Sequence, residues 1–164
     1  MGGRITNSEA QLQPDPRYQD KLVAKFVNCI MYDGKKATAQ KVVYQAFDTI
    51  QARLEKEKLD TLPRTAIEVF QKAIENVKPV VEVRSKRVGG ANYQVPMQLN
   101  RRRAQSLTFR WIIDAARAEK GRPMHIKLAN ELFSACKNEG KAVATRENTH
   151  RMADANKAFA HFAW

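Results

Sequence analysis

The sequence predicts a mainly α, single-domain protein: a bundle of about six helices with a protruding two-stranded antiparallel β-hairpin over about 80–98 and an extended N-terminal arm. Three observations carry the prediction. Apolar residues recur at spacings of three and four through most of the chain after Asp20, the pattern of helices that bury one stripe. Between Pro79 and Asn100 that period gives way to alternation around Gly89-Gly90, as in a hairpin. A chain of 164 residues can bury one core without a second domain, so 1–164 is one unit, with an arm over 1–19 and a helical body over 20–164.

Residues 1–19 lack apolar periodicity and carry Pro14 and Pro16, so they read as an arm outside the core. The first helix begins at Asp20, with Leu22, Phe26, Cys29 and Ile30 on one stripe, and Asp33-Gly34 ends it through a left-handed Gly34. A second helix runs from about Ala37 to Leu54 on Val42, Val43, Ala46, Phe47, Ile50 and Leu54. Residues 55–60 form a charged connection. Pro63 fits the first turn of a third helix, where its missing N–H costs nothing, and Pro79 stops that helix after Ile67, Phe70, Ile74 and Val77.

Beyond the hairpin, helices are expected near 100–119, 123–138 and 146–158, separated by Gly121 and Gly140. Their buried stripes are Leu107, Trp111 and Ala115, then Leu128, Leu132, Phe133 and Cys136, then Met152, Ala155 and Phe159. Cys29 and Cys136 both read as reduced core thiols, with no disulfide framework.

The hairpin's register follows from its pattern. Opposed residues of an antiparallel pair share a face, and a two-residue Gly89-Gly90 turn would set Val81 and Val83 against Gln98 and Pro96. A three-residue loop or a glycine bulge instead pairs Val81 with Leu99, Val83 with Met97, Ser85 with Val95 and Arg87 with Tyr93. That register gathers the apolar residues on the packed face and leaves Glu82, Arg84 and Lys86 on the other, so it is the one expected. The base of the hairpin rests on the helices, and the tip from Arg87 to Tyr93 extends beyond them.

Charge points to the partner. Lys and Arg total 29 against 17 Asp and Glu, a net charge of +12 with a pI near 10.0, which favours a polyanion. No run approaches the roughly 18 apolar residues of a spanning helix, and no secretory leader is evident, so a soluble intracellular protein without a membrane partner is expected. From Arg84 to Ile113 there are seven basic residues and no acid.

Asn100 is a plausible N-cap, which places Arg101, Arg102 and Arg103 in a first helical turn, where each cation opposes the helix dipole by about 0.3–1 kcal/mol. That cost suits phosphate binding rather than stability, so replacing all three with Ala is expected to weaken nucleic-acid binding while stability holds or rises. Tyr93 reads equally as a base-stacking or a packing residue.

An enzyme reading finds little. His125, His150 and His161 have no ligand spacing with either Cys, and no phosphate-binding loop, dinucleotide turn or nucleophile elbow occurs. His150 and Asp154, one turn apart, read as a surface contact. No catalytic residue, metal or cofactor is assigned.

Several motifs resemble a known family: Asp33-Gly-Lys-Lys36, Glu82-Val-Arg-Ser-Lys-Arg-Val-Gly-Gly90, Tyr93-Gln-Val-Pro96, Leu128-Ala-Asn-Glu131 and His150-Arg-Met-Ala-Asp-Ala-Asn-Lys-Ala-Phe-Ala-His161. From about Pro14 to Trp164 the chain resembles bacterial-type small-subunit ribosomal protein seven. The resemblance implies a non-catalytic six-helix body with a hairpin that binds small-subunit rRNA directly, nucleates the head (3′ major) domain, and lies near the exit-site tRNA and the mRNA exit path.

By position it implies RNA contact at Lys35, Lys36, Arg84, Lys86, Arg87, Arg101, Arg102, Arg103, Arg110 and Met124, and places Arg87, Gly89 and Gly90 at a tRNA-proximal tip. It also implies small-subunit ribosomal proteins nine and eleven as neighbours, no intrinsic homo-oligomer, and a cytoplasmic or organellar ribosome. Family members commonly begin with a basic tail, whereas Arg4 is the only basic residue here before Arg17. A DNA-bending architectural protein with a basic hairpin is the alternative of a different class, and an RNA-modifying enzyme the third.

Overall fold

A computed structural model describes residues 11–57 and 63–162. Residues 1–10 of the arm, residues 58–60 of the charged connection with the two that follow, and the last two residues lie outside these. The elements are α1 (Lys21–Ile30), α2 (Lys36–Glu57), α3 (Ala66–Val77), β1 (Val81–Val88), β2 (Ala91–Gln98), α4 (Arg101–Ala118), α5 (Met124–Cys136), α6 (Lys141–Ala155) and a 3-10 helix, Lys157–Phe162. The mainly α architecture with one antiparallel hairpin is as the sequence predicts.

Local signals place several helix ends. Asp20 caps α1 by accepting from the Leu22 N–H at 2.6 Å. At α3 the helix starts three residues after Pro63, because Thr65 and Glu68 form a reciprocal capping box that fixes the boundary at Ala66. Asn100 caps α4 through Arg103 N–H at 2.8 Å, as expected.

The sixth helix departs most from expectation, starting at Lys141 rather than near 146. Gly140 offers no capping side chain. Instead Glu131, from the middle of α5, accepts from the Ala142 N–H at 2.8 Å and places its charge at the positive end of α6. A Cβ on Gly140 would stand 2.9 Å from that carboxylate, and the residue sits at φ 96°. Only glycine suits both demands. The expected stripe of Met152 and Ala155 is exposed, since α6 buries only the small Ala142, Val143 and Ala153.

The core is organised by four phenylalanines on four helices, each at most 1% exposed: Phe26, Phe47, Phe70 and Phe109. Their rings meet at centroid distances of 5.1 Å (Phe26 to Phe70), 5.2 Å (Phe26 to Phe109) and 5.3 Å (Phe47 to Phe70). Contacts of this kind contribute about 0.5–1.5 kcal/mol each beyond area burial. Helix α5 packs against α2, α3 and α4 with Leu128 and Leu132 fully buried. Asn76 of α3 donates to the last carbonyls of α5, Ala135 and Cys136, at 2.9 and 3.0 Å, and Arg146 of α6 donates to the Asn76 carbonyl.

Cys136 is buried as expected, but Cys29 is exposed. The inward stripe of α1 is Val23, Phe26, Val27 and Ile30, and Cys29 falls off it. The end of the arm is also anchored: Asp15 is 2% exposed, accepts from Arg17 and Tyr18 N–H, and receives the Tyr44 hydroxyl at 2.7 Å. Burial, and then that hydrogen bond, push the Tyr44 phenol up to about 12.

Candidate nucleic-acid interface

The hairpin register differs from the expected one. Val81 pairs with Gln98, Val83 with Pro96, Ser85 with Gln94 and Arg87 with Asn92, across a two-residue turn at Gly89 and Gly90. Both glycines have positive φ, 59° and 90°, matching a type I′ turn whose twist suits the strands. The local preference of Gly-Gly for this turn prevails over the apolar pattern.

The inner face consequently holds Glu82, Arg84 and Lys86 from β1 against Met97, Val95 and Tyr93 from β2. The β2 half of the expected face is retained; the β1 half is inverted. Polar residues are tolerated there because they find partners. Glu82, 7% exposed, accepts from Arg84 Nε at 2.5 Å and from Arg103 Nε at 3.0 Å. Lys86 Nζ donates to the Phe162 carbonyl at 2.8 Å.

Tyr93 packs between Phe159 and Phe162, with centroids at 5.1 and 5.3 Å. The hairpin is therefore held up to the Lys86–Tyr93 pair, closer to its tip than expected, and Gly89 to Asn92 are exposed. His150 does not serve a surface pair with Asp154; its Nε2 accepts from the Val80 N–H at 3.2 Å, pinning the base of β1 to α6.

The cations predicted from sequence fall into two groups. Arg101, Arg102 and Arg103 occupy the first turn of α4, which carries no acid of its own, and Arg103 joins Arg84 through Glu82. Arg101 lines a depression with Leu22, Gln71, Glu75 and Lys78. Arg87 and the glycine tip lie farther along the hairpin, Arg87 on its outer face.

The second group lies at the far end of α4. Lys35 and Met124, distant in sequence, line one cleft of about 360 Å³ with Ile30, Tyr32, Val42 and Arg117. Lys36 follows Lys35 as the exposed first residue of α2. Arg110 lines an adjoining depression with Cys29, Ser106 and Asp114, and Arg117 borders both.

Arg117 is the residue that sequence reasoning missed. Its guanidinium lies 4.2 Å from the centroid of the exposed Tyr32 ring and donates to the Ile30 carbonyl at 3.2 Å. The signal available was its place seven residues after Arg110, two turns along the same helix. The face running from Arg102 through Ser106 and Arg110 is thus continuous with the Lys35–Met124 cleft.

This arrangement can hold a polyanion by ion pairing and by guanidinium forks. Among the described residues no group of three or more His, Cys, Asp and Glu is placed to hold a metal, and no helix is long and apolar enough to cross a membrane.

Comparison with known proteins adds independent findings. The sequence profile of the family described as ribosomal protein S7p/S5e matches residues 3–157. Similar chains include proteins named small ribosomal subunit protein uS7 from Rhodopirellula baltica, 61% identical over 99% of both chains, and Thermotoga petrophila, 56% identical over 94% of both. One from an Anaeromyxobacter species is 48% identical over the full length of both.

Proposed function

The chain belongs to the ribosomal protein S7p/S5e family, a structural and non-enzymatic constituent of the small ribosomal subunit, and from that premise we propose that it binds small-subunit rRNA directly through the α4 face and the hairpin junction. The carrying observation is that one helix, α4, sets Arg101–Arg103 with Arg84 at its start and Arg110 with the adjoining Lys35–Met124 cleft farther along. Cations that oppose the α4 dipole make sense when phosphate neutralises them.

On this reading the protein nucleates the head domain by joining RNA segments at the two ends of α4. The exposed Gly89–Asn92 tip reaches toward the exit-site tRNA and the mRNA exit path, with small-subunit ribosomal proteins nine and eleven as neighbours. Tyr93 acts as the packing anchor of that tip rather than as a stacking platform, since its ring is occupied by Phe159 and Phe162.

Filter binding of the purified chain to small-subunit head RNA, to unrelated structured RNA and to duplex DNA at two salt concentrations tests the reading. Head RNA is expected to bind tightest. Equal affinity for duplex DNA would favour the DNA-bending alternative and overturn the proposal. For the tip, a cleavage reagent tethered at Asn92 in assembled subunits should cut exit-site tRNA; an uncut tRNA would remove that part.

A further inference from the structure

Glu82 is an acid at the centre of a basic surface, and simple electrostatics makes it a liability for RNA binding. From Arg84 to Ile113 no other acid occurs, yet this carboxylate is 7% exposed between two arginines. We infer that Glu82 is a positioning residue, holding Arg84 of the hairpin and Arg103 of α4 as the two arms of one phosphate clamp. The inference rests on the RNA-binding reading above.

The geometry is specific. Glu82 divides its oxygens, Oε1 taking Arg84 and Oε2 taking Arg103, and in both contacts the donor is Nε. A guanidinium has five N–H donors, so engagement through Nε leaves the terminal nitrogens for a second anion. The side chains remain 44% and 37% exposed, which keeps those ends in reach of solvent and ligand.

Without the carboxylate, two long side chains on different elements would each sample many rotamers and repel one another. Fixing them before RNA arrives removes that ordering cost from the binding step. It also couples the angle of the hairpin to the helix, so one phosphate can be gripped from both sides.

The two effects of Glu82 predict opposite signs. If its charge dominates, Glu82→Gln raises RNA affinity by removing a negative group. If positioning dominates, the same substitution weakens binding about three- to tenfold, the size of ordering one or two long side chains. The experiment is a double-mutant cycle in the full chain with head RNA, using Glu82→Gln, Arg103→Ala and the pair, at a temperature where circular dichroism shows every variant folded.

Positioning predicts that Glu82→Gln weakens wild-type binding but has at most half that logarithmic effect when Arg103 is Ala. A merely structural glutamate would give the same change in both backgrounds. Unchanged or tighter binding by Glu82→Gln, or additivity, overturns the inference. Wild-type affinity for Arg103→Ala would instead remove Arg103 from the RNA-binding surface, a separate failure of the underlying reading. Should Glu82→Gln not fold, Glu82→Asp keeps the charge but is one methylene short of spanning both guanidinium groups. It is expected to weaken binding about twofold or more, and unchanged affinity would overturn the clamp.

Discussion

Replacing Arg101 and Arg103 separately with Ala should split two effects that sequence reading merged. Both lie in the first turn of α4, where a cation opposes the dipole, so removing either gains about 0.3–1 kcal/mol. Arg101 is exposed, and for Arg101→Ala that gain is the expected net effect. Arg103 also donates to the buried Glu82. Breaking a fully buried pair costs about 3–5 kcal/mol, but Arg103 is 37% exposed and Glu82 keeps Arg84 at 2.5 Å.

Solvent screening and the remaining partner reduce the loss to about 1–2 kcal/mol. After the dipole gain, Arg103→Ala is expected to be less stable by up to about 1.7 kcal/mol, or up to about 7 °C in Tm for a chain of this size, where Arg101→Ala gains stability. Urea denaturation of the two variants beside the wild type measures the difference. Each should also flatten the salt dependence of RNA binding by about 0.7–0.9 in log–log slope if it neutralises one phosphate. An Arg103→Ala variant as stable as Arg101→Ala would refute the structural role of the Glu82 pairing and uphold the expectation that all three arginines are dispensable for stability.

Gly90→Ala should destabilise by about 1–2 kcal/mol in urea, because φ is 90° there while no atom lies within 4 Å, so strain in the backbone is the whole cost. Phe159→Ala should cost about 1–2 kcal/mol, less than for a fully buried ring, and hydrogen exchange should show the outer hairpin amides losing protection before the helices do. Tyr44, raised to about 12, lends stability that is fully present below pH 10 and is lost as pH rises toward 12, since the folded state holds the phenolic proton more tightly. Thermal melts from pH 9 to 12 should therefore fall less steeply for Tyr44→Phe than for the wild type, and equal slopes would reject the linkage.

The helices were legible because their signals are local. The inward spacing of Phe26 with Ile30, and the Asn100 cap, act within one or two turns. The start of α6 was not legible, because its cap comes from Glu131, eleven residues away on another helix. Cys29 beside Ile30 was misplaced since a stripe counted by residue type cannot separate neighbours at its edge.

For the site, residue chemistry in the sequence made a basic surface legible: the arginines in the first turn of α4 and the acid-free run from Arg84 to Ile113 need no coordinates to be seen. Tertiary structure decided which of those cations meet. It joined Lys35 to Met124, added Arg117 on Tyr32, and turned Glu82 inward to bridge Arg84 and Arg103. The physical reason is the range of the forces. Turn preference and periodicity are properties of neighbouring residues, whereas a charged side chain can be buried only when a partner from elsewhere in the chain arrives to receive it. The Gly89-Gly90 turn shows the boundary between the two. Its own conformation follows from two glycines, but the face it turned inward became tolerable because its charges found partners, Glu82 in Arg84 and in Arg103 of α4, and Lys86 in the Phe162 carbonyl.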